Sequence, residues 1–170
     1  MTSLGLISQV ECKRVVSGSA NGWSSLCNYA QSLKLGVEHL YELGSSVAVG
    51  SFFNIVHARN TGAAFSFLAD AGGWQRYLFV VVALAVALTL VAILQRERHW
   101  SEALGYCLVL GGAVGNLIDR SLRGFVVDYL DFHYQGWHWP AFNLADICIV
   151  SGASFLLVIS VISPASPSKR

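Results

Sequence analysis

Three aspartates and three asparagines stand beside long apolar stretches, where polar side chains are costly and so mark a functional site by default. They are Asp119, Asp128, Asp146, Asn60, Asn116 and Asn143. Two carboxylates framed by amides can perform acid–base hydrolysis: one takes a proton from water, and the other, protonated, donates to the carbonyl or leaving group. Proximity keeps the two from ionising together, so their titrations separate. Asp128 and Asp146 are the candidates for this pair.

The spacing of these residues places several of them together on helical faces. Asn116, Asp119 and Arg120 fall at positions i, i+3 and i+4, and Asn143 and Asp146 fall at i and i+3. Residues three and four apart are neighbours on a helix surface. Each set therefore presents its polar groups on one side.

Simpler roles remain open for the same carboxylates. Asp119 can be half of an ion pair with Arg120, which follows it. Asp146 can be a first-turn residue that complements the helix dipole. Asp131 lies in a strand-like link, where we expect it to be solvated. The motifs GxSxG and HExxH are absent from the sequence.

The composition indicates a membrane protein of one domain. Of 170 residues, 54% are hydrophobic and 12% are charged, against roughly 25% charged residues in soluble domains. This balance excludes a disordered chain and a coiled coil. The formal net charge of +1 creates no field that attracts a polyanion, so we expect no nucleic-acid partner.

Three segments are apolar enough to span a bilayer, at about residues 77–94, 103–119 and 143–163. The fold class predicted is an all-α polytopic membrane protein with three clear membrane helices. Gly111 and Gly115 in the second segment form GxxxG, which favours close helix packing.

The segments outside the spans predict a small extracytoplasmic β-sheet. Residues 46–59 and 124–139 are rich in Val, Phe, Tyr and Trp, and Gly136 suggests a turn. The link between the first two spans carries Arg96 and Arg98, and the chain ends in Lys-Arg. By the positive-inside rule these parts are cytoplasmic, so the sheet lies outside.

The cysteines favour packing over chemistry. Cys12, Cys27, Cys107 and Cys148 form no CxxC, and no histidine stands at zinc-ligand spacing from one. Cys107 and Cys148 lie within apolar runs, where a cysteine behaves as a small hydrophobe. We expect neither a metal nor a cofactor.

Four blocks around the polar residues resemble lipoprotein signal peptidase, also called signal peptidase II, a family of bacterial membrane aspartyl peptidases. The blocks are NTGAAFS at 60–66, GNLIDR at 115–120, VVDY at 126–129 and FNLAD at 142–146. The likeness runs from about residue 35 to 163. It divides the chain into an atypical segment, 1–34, and a signal peptidase II-like membrane domain, 35–170.

The resemblance implies an activity and roles for the matching residues. The family removes the signal peptide from diacylglyceryl-modified prolipoproteins, cleaving before the lipidated cysteine. Asp128 and Asp146 correspond to its catalytic dyad, and Asp119 to a supporting acidic residue. The residues that match its substrate-binding side chains are Asn60, Asn116, Arg120 and Asn143.

The resemblance also implies partners and a location. The partners it implies are lipidated prolipoproteins and membrane lipid, and we expect the protein to act as a monomer. It is a multi-pass protein of the bacterial inner membrane, with its active site at the extracytoplasmic face.

The N-terminus departs from the family, which has four membrane helices, the first ending in Asp-Gln and then Ser-Lys. Residues 1–31 contain no apolar run of spanning length. Only Ser32 and Lys34 echo the end of that motif. We therefore expect 1–31 to be poorly ordered, and the chain to be inactive or weak because its first helix is missing.

Two other functions remain open. A transport or proton-relay protein also uses membrane carboxylates, although here the acids cluster at one face and no inverted repeat is evident. An inactive remnant of the same family would fit the unusual N-terminus.

Overall fold

The computed structural model describes residues 3–62, 72–96 and 99–162, and of residues 3–20 it describes the backbone alone. The elements are, in order, α1 (Ser3–Leu40), β1 (Ser46–Ala48), β2 (Phe53–Asn60), α2 (Gln75–Leu94), α3 (Trp100–Leu122), β3 (Val126–Tyr134), β4 (Trp137–His138) and α4 (Leu144–Ile162).

Among these residues, three helices are long and apolar enough to cross a bilayer, namely α2, α3 and α4. They confirm the three predicted spans and the predicted fold class. α2 leaves Val81, Leu84 and Leu88 exposed. In a membrane protein such side chains face lipid, because the bilayer interior is as apolar as they are.

α3 lies at the centre of the bundle and contacts each of the other three helices. Its glycines allow this close packing. A Cβ on Gly111 would lie 2.9 Å from the Trp23 carbonyl oxygen of α1, and one on Gly112 would lie 2.3 Å from the Ala145 carbonyl oxygen of α4. The predicted packing role of the glycine-rich stretch is thus confirmed.

The strands form one antiparallel sheet in the order β1-β2-β3-β4. β2 pairs with β3 so that Ala58 lies opposite Asp128. The expected turn at Gly136 is confirmed: Gln135 and Gly136 both have positive φ, 49° and 82°, as a two-residue hairpin turn requires. The sheet follows the C-termini of α1 and α3 and precedes α2 and α4, so these helix ends meet beside it.

The N-terminal segment differs from our expectation. The backbone is helical throughout Ser3–Leu40, where we expected poor order over 1–31; residues 1 and 2 lie outside the described part. A helix needs no spanning apolar run to form, and residues 3–31 contain no proline to break one. The C-terminal end of α1 is anchored because Val37 packs with Val127 and Tyr129 of β3.

Cys107 and Cys148 are buried and form no disulfide, as the packing interpretation predicted, and Cys27 is likewise buried and free. The side chain of Cys12 lies outside the described residues.

Candidate active site

Asp128 and Asp146 come together from two elements at the sheet end of the bundle. Asp128 lies within β3 and Asp146 in the first turn of α4. Both line a cavity of about 730 Å³, together with Asn60, Asn116 and Arg120. The structure therefore gathers five of the predicted site residues around one space.

Asn143 donates a hydrogen bond to each of the two carboxylates from outside the cavity lining. Its side-chain Nδ2 donates to Asp128 Oδ1 at 2.7 Å, and its backbone N–H donates to Asp146 Oδ2 at 3.1 Å. Asn143 is completely buried. It holds the geometry of the pair, because one rigid residue fixes an oxygen of each carboxylate.

Asn143 can do this because it caps α4. Its Oδ1 accepts the backbone N–H groups of Ala145, at 2.8 Å, and Asp146, at 3.3 Å. Together with the return bond from Asn143 N–H to Asp146, this is a capping box, with Asp146 at the third helical position. The first-turn interpretation of Asp146 is therefore correct, and the same carboxylate also faces the cavity.

The other two asparagines each serve one carboxylate. Asn60 Nδ2 donates to Asp128 Oδ2 at 3.0 Å, and Asn116 Nδ2 donates to Asp146 Oδ1 at 2.8 Å. With Asn143 they supply each carboxylate with two N–H donors.

The orientation of each amide is dictated by what its oxygen accepts. Asn60 Oδ1 accepts the Gly62 N–H at 2.9 Å, and Asn116 Oδ1 accepts the Lys34 ammonium at 2.8 Å. An amide carries its acceptor and its donor on opposite branches. Each NH₂ group must therefore point at a carboxylate.

Burial and charge give the Asp128 carboxyl group a pKa above its ordinary value. The pKa of Asp128 is raised from 3.8 to about 6, first by burial and then by the negative charge of Asp146, while the hydrogen bonds from Asn143 and Asn60 oppose this rise. Asp128 therefore keeps its proton at a pH where a solvated aspartate has lost it. Asp146 lies at the positive end of the α4 dipole, which favours negative charge there.

Arg120 reaches the same cavity from α3. Its Nη2 donates to the Gly62 carbonyl oxygen at 2.8 Å, and its guanidinium lies 5.4 Å from the centre of the Phe79 ring. Within the described part of the chain its Nε is buried and has no hydrogen-bond partner. Arg120 is therefore fixed at one end by Gly62, and it lines the cavity.

Asp119 faces away from the cavity. Its Oδ2 lies 2.7 Å from Lys34 Nζ, and both side chains are fully buried. Asp119 is thus half of an ion pair, but its partner is Lys34 of α1 and not Arg120, the partner considered from the sequence. Sequence reasoning missed Lys34, and its signal was the Ser-Lys echo in the segment set aside as atypical.

Asp131 corrects our expectation that this residue is solvated. It is 6% exposed, accepts Asn54 Nδ2 at 2.8 Å, and lies 2.9 Å from His138 Nδ1. Burial acts to raise its pKa, but the hydrogen bonds from His138 and Asn54 outweigh burial and lower it. The residue is buried because β2 lies beside β3 and supplies Asn54 opposite it.

The wall of the cavity away from the carboxylates is apolar and is built by the spanning helices. It includes Phe79, Val82 and Val86 of α2, Val109 of α3 and Val150 of α4. The cavity thus joins a polar end at the sheet to a hydrocarbon-like surface within the bundle. Among the described residues, no group of three or more His, Cys, Asp or Glu side chains is arranged to hold a metal ion.

Comparison with known sequences gives a consistent result. Residues 26–162 match the family model described as signal peptidase (SPase) II, a match that begins inside the segment expected to be unlike the family. A lipoprotein signal peptidase of Serratia marcescens is 54% identical over 130 residues, which are 76% of this chain and 75% of that protein. One of Actinobacillus succinogenes is 43% identical over 148 residues, or 85% and 91%.

Two solved structures described as bacterial membrane enzymes have the same fold. One superimposes with a TM-score of 0.78 at 25% identity, covering 91% of this chain and 93% of its own. The other has a TM-score of 0.73 at 27% identity and covers 88% and 95%.

Proposed function

Because the chain belongs to the signal peptidase II family, we propose that it is a membrane aspartyl endopeptidase that removes the signal peptide from diacylglyceryl-modified prolipoproteins. It cleaves the peptide bond before the lipidated cysteine. The observation that carries this proposal is the pair Asp128 and Asp146, which share Asn143 and line one cavity.

The electrostatics of the pair support different roles for the two carboxyl groups, one as general base and the other as general acid. Asp146 is the base and removes a proton from water, whose oxygen attacks the scissile carbonyl carbon. Asp128, whose pKa is raised to about 6, is the acid and donates its proton to the carbonyl oxygen. A tetrahedral diol results, with the proton of water on Asp146.

The diol then collapses, and two proton transfers restore the starting protonation of the two aspartates. Asp146 donates its proton to the amide nitrogen of the lipidated cysteine, and one diol hydroxyl returns a proton to Asp128 as the C–N bond breaks. The products are a signal peptide ending in a carboxylic acid and a cysteine with a free amino group, and on release the acid gives its proton to the amine or to water. Asp128 is protonated again and Asp146 is ionised, so the site is ready for another turnover.

The cavity supports a substrate that is both peptide and lipid. Its apolar wall on α2, α3 and α4 suits acyl chains in the bilayer. At its polar end lies Arg120, whose guanidinium can orient the substrate backbone or an ester group. We assign substrate binding to Arg120, and to Asn60 and Asn116 as residues that line the space while holding the carboxylates.

Charge supports a location in the inner membrane with the site on the extracytoplasmic side. The α2–α3 link, at the end away from the sheet, carries Arg96 and Arg98, as cytoplasmic loops do. Arginines at the sheet end have local partners: Arg76 donates to the Arg120 and Ser121 carbonyls, and Arg123 pairs with Glu38. The proposed roles need no residue from a second copy, so we propose that the protein acts as a monomer.

The test is cleavage of a lipidated prolipoprotein by the reconstituted protein. Asp128→Asn and Asp146→Asn should each reduce turnover by at least about 100-fold, because an amide keeps the shape and loses the titrating group. The control is Glu42→Gln, the same change at an exposed site. Near wild-type turnover in either aspartate variant would exclude the dyad. An inactive wild-type chain would instead favour the remnant alternative.

A further inference from the structure

Lys34 is completely buried at the contact between α1 and α3, and has two acceptors. Its Nζ donates to Asp119 Oδ2 at 2.7 Å and to Asn116 Oδ1 at 2.8 Å. A buried ammonium is costly unless it is paired and hydrogen-bonded. Asp119 supplies the opposite charge, which leaves the contact with Asn116 to be explained.

An ammonium group donates hydrogen bonds and accepts none. Only the oxygen of the Asn116 amide can therefore face Lys34, and the NH₂ group must face the other way, towards Asp146 Oδ1 at 2.8 Å. If the amide were rotated by half a turn, its NH₂ group would oppose the ammonium and its oxygen would oppose the carboxylate. Both contacts would then be repulsive.

We infer that Lys34 is a positioning residue for the reaction: it locks the Asn116 amide so that this amide donates to Asp146. The inference rests on the proposed role of Asp146 as the base. It connects three helices, because Lys34 belongs to α1, Asn116 to α3 and Asp146 to α4. Lys34 acts through Asn116 and does not itself line the cavity.

A purely structural role would have a different consequence. If Lys34 only neutralises Asp119, any substitution that removes both charges and packs well restores a working enzyme. If it orients Asn116, a neutral replacement works only when it still offers a donor to Asn116 Oδ1. Two double variants, each of which removes both charges, distinguish the structural role from the positioning role.

The first pair, Lys34→Met with Asp119→Leu, removes both charges and leaves no donor. We expect kcat per folded enzyme to fall roughly tenfold to a hundredfold, the usual effect of a lost hydrogen bond to a charged group, with a smaller change in KM. The acid limb of the pH–rate profile moves relative to that of the wild type, because Asp146 has lost one of its two hydrogen-bond donors. The alkaline limb, which belongs to Asp128, moves to higher pH in any variant that removes the Lys34 charge, because that charge lowers the pKa of Asp128; this limb therefore does not distinguish the two pairs.

The second pair, Lys34→Gln with Asp119→Asn, also removes both charges but keeps an N–H donor for Asn116. We expect it to retain kcat within about threefold and to leave the acid limb unmoved, as the loss of charge alone does not turn the amide. Equal kcat and equal profiles for the two pairs would overturn the inference. If neither pair accumulates in membranes, Lys34→Arg decides, since it keeps donor and charge; a moved acid limb there overturns it.

Failure of the inference and failure of the proposed function are distinguishable. If the wild-type chain cleaves no lipidated substrate, the proposed function has failed and the kinetics say nothing of Lys34. The carboxyl infrared absorption that disappears in Asp146→Asn then reports the titration of Asp146 directly. The inference that Lys34 orients Asn116 predicts that this titration is displaced in Lys34→Met with Asp119→Leu and unchanged in Lys34→Gln with Asp119→Asn. The same titration in both double variants refutes it.

Discussion

Asn143 and Asp146 are bonded to each other in both directions. The Asn143 N–H donates to Asp146 Oδ2 at 3.1 Å, and the Asp146 N–H donates to Asn143 Oδ1 at 3.3 Å. One carboxylate therefore starts a membrane helix and faces the cavity. Its position is set by the start of α4, which gives the site a rigid reference point.

Asp146→Glu separates the two roles of this carboxylate. Glutamate is the usual partner at the third position of a capping box. We therefore expect the free energy of unfolding in detergent to change by less than about 1 kcal/mol. The extra methylene displaces the carboxyl group by roughly 1 Å, and such a displacement reduces kcat by about 100-fold. The measurements are thermal unfolding and turnover of a lipidated substrate. A stable variant that retains full kcat would contradict this account of the site.

Asp128 makes the stability of the protein depend on pH. Its pKa is raised from 3.8 to about 6 in the folded state, which corresponds to about 3 kcal/mol. The folded state holds the proton more tightly, so this contribution is complete below about pH 4. It is lost as pH rises through about 6, where the folded protein also ionises.

The measurement is the apparent unfolding midpoint in detergent between pH 4 and pH 8. The wild-type midpoint should fall across this range, and Asp128→Asn should remove most of the fall because the variant cannot titrate there. Parallel curves for the two proteins would show that Asp128 has an ordinary pKa.

Arg120→Lys should weaken substrate binding. The guanidinium holds the Gly62 carbonyl through Nη2 and also lines the cavity, and an ammonium cannot provide both directions from one planar group. We expect KM to rise about tenfold or more with unchanged protein levels. An unchanged KM would mean that Arg120 has only a structural role, although Asp119 already has Lys34 as its partner.

Gly112→Ala should disrupt the site through the contact between α3 and α4. The added Cβ would lie 2.3 Å from the Ala145 carbonyl oxygen and 2.8 Å from Ile149 Cγ1, so α4 must move, and Asp146 moves with it. We expect at least about a 100-fold loss of turnover. Gly36→Ala is the matched control: nothing lies within 4 Å of its Cβ, and alanine favours a helix by up to about 1 kcal/mol. Equal activity of the two variants would contradict the close contact.

The N-terminal half of α1 should limit activity. It carries Glu11, Lys13 and Arg14, and charges are costly within a spanning helix. We expect a chain whose first 34 residues are replaced by a family-type helix ending in Asp-Gln-x-x-Ser-Lys to process more prolipoprotein in membranes. Processing per folded enzyme should be compared, so that expression differences are excluded. Equal, full processing by the original chain would show that its own α1 inserts adequately.

Features that depend on a local sequence pattern could be predicted from the sequence alone. Three apolar runs predicted the spans, and aromatic and β-branched residues predicted the strands. The i, i+3 relation of Asn143 and Asp146 anticipated the shared face that the capping box creates. These features depend on neighbours along the chain, so a single sequence contains them.

Features that depend on distant pairing were missed. Asp131 was expected to be solvated because no local signal shows that Asn54 of β2 lies opposite it. Lys34 was passed over because its acceptors, Asn116 and Asp119, are more than 80 residues away and its own segment lacks an apolar run. Burial of a polar group is decided by the partner that arrives, and spacing along one segment cannot reveal that partner.

The distribution of the site along the chain has a consequence for the timing of activity. Asn60 leaves the ribosome early, Asp128 follows two membrane helices later, and Asp146 comes with the last helix. Chains fold as they are synthesised, from the N-terminus onwards. A partly made chain has at most one of the two carboxylates, and Asp128 lacks its Asn143 donor until α4 begins to form. Under the proposed mechanism, a nascent chain therefore cannot hydrolyse peptide bonds during insertion, and activity begins only when the last helix has been made.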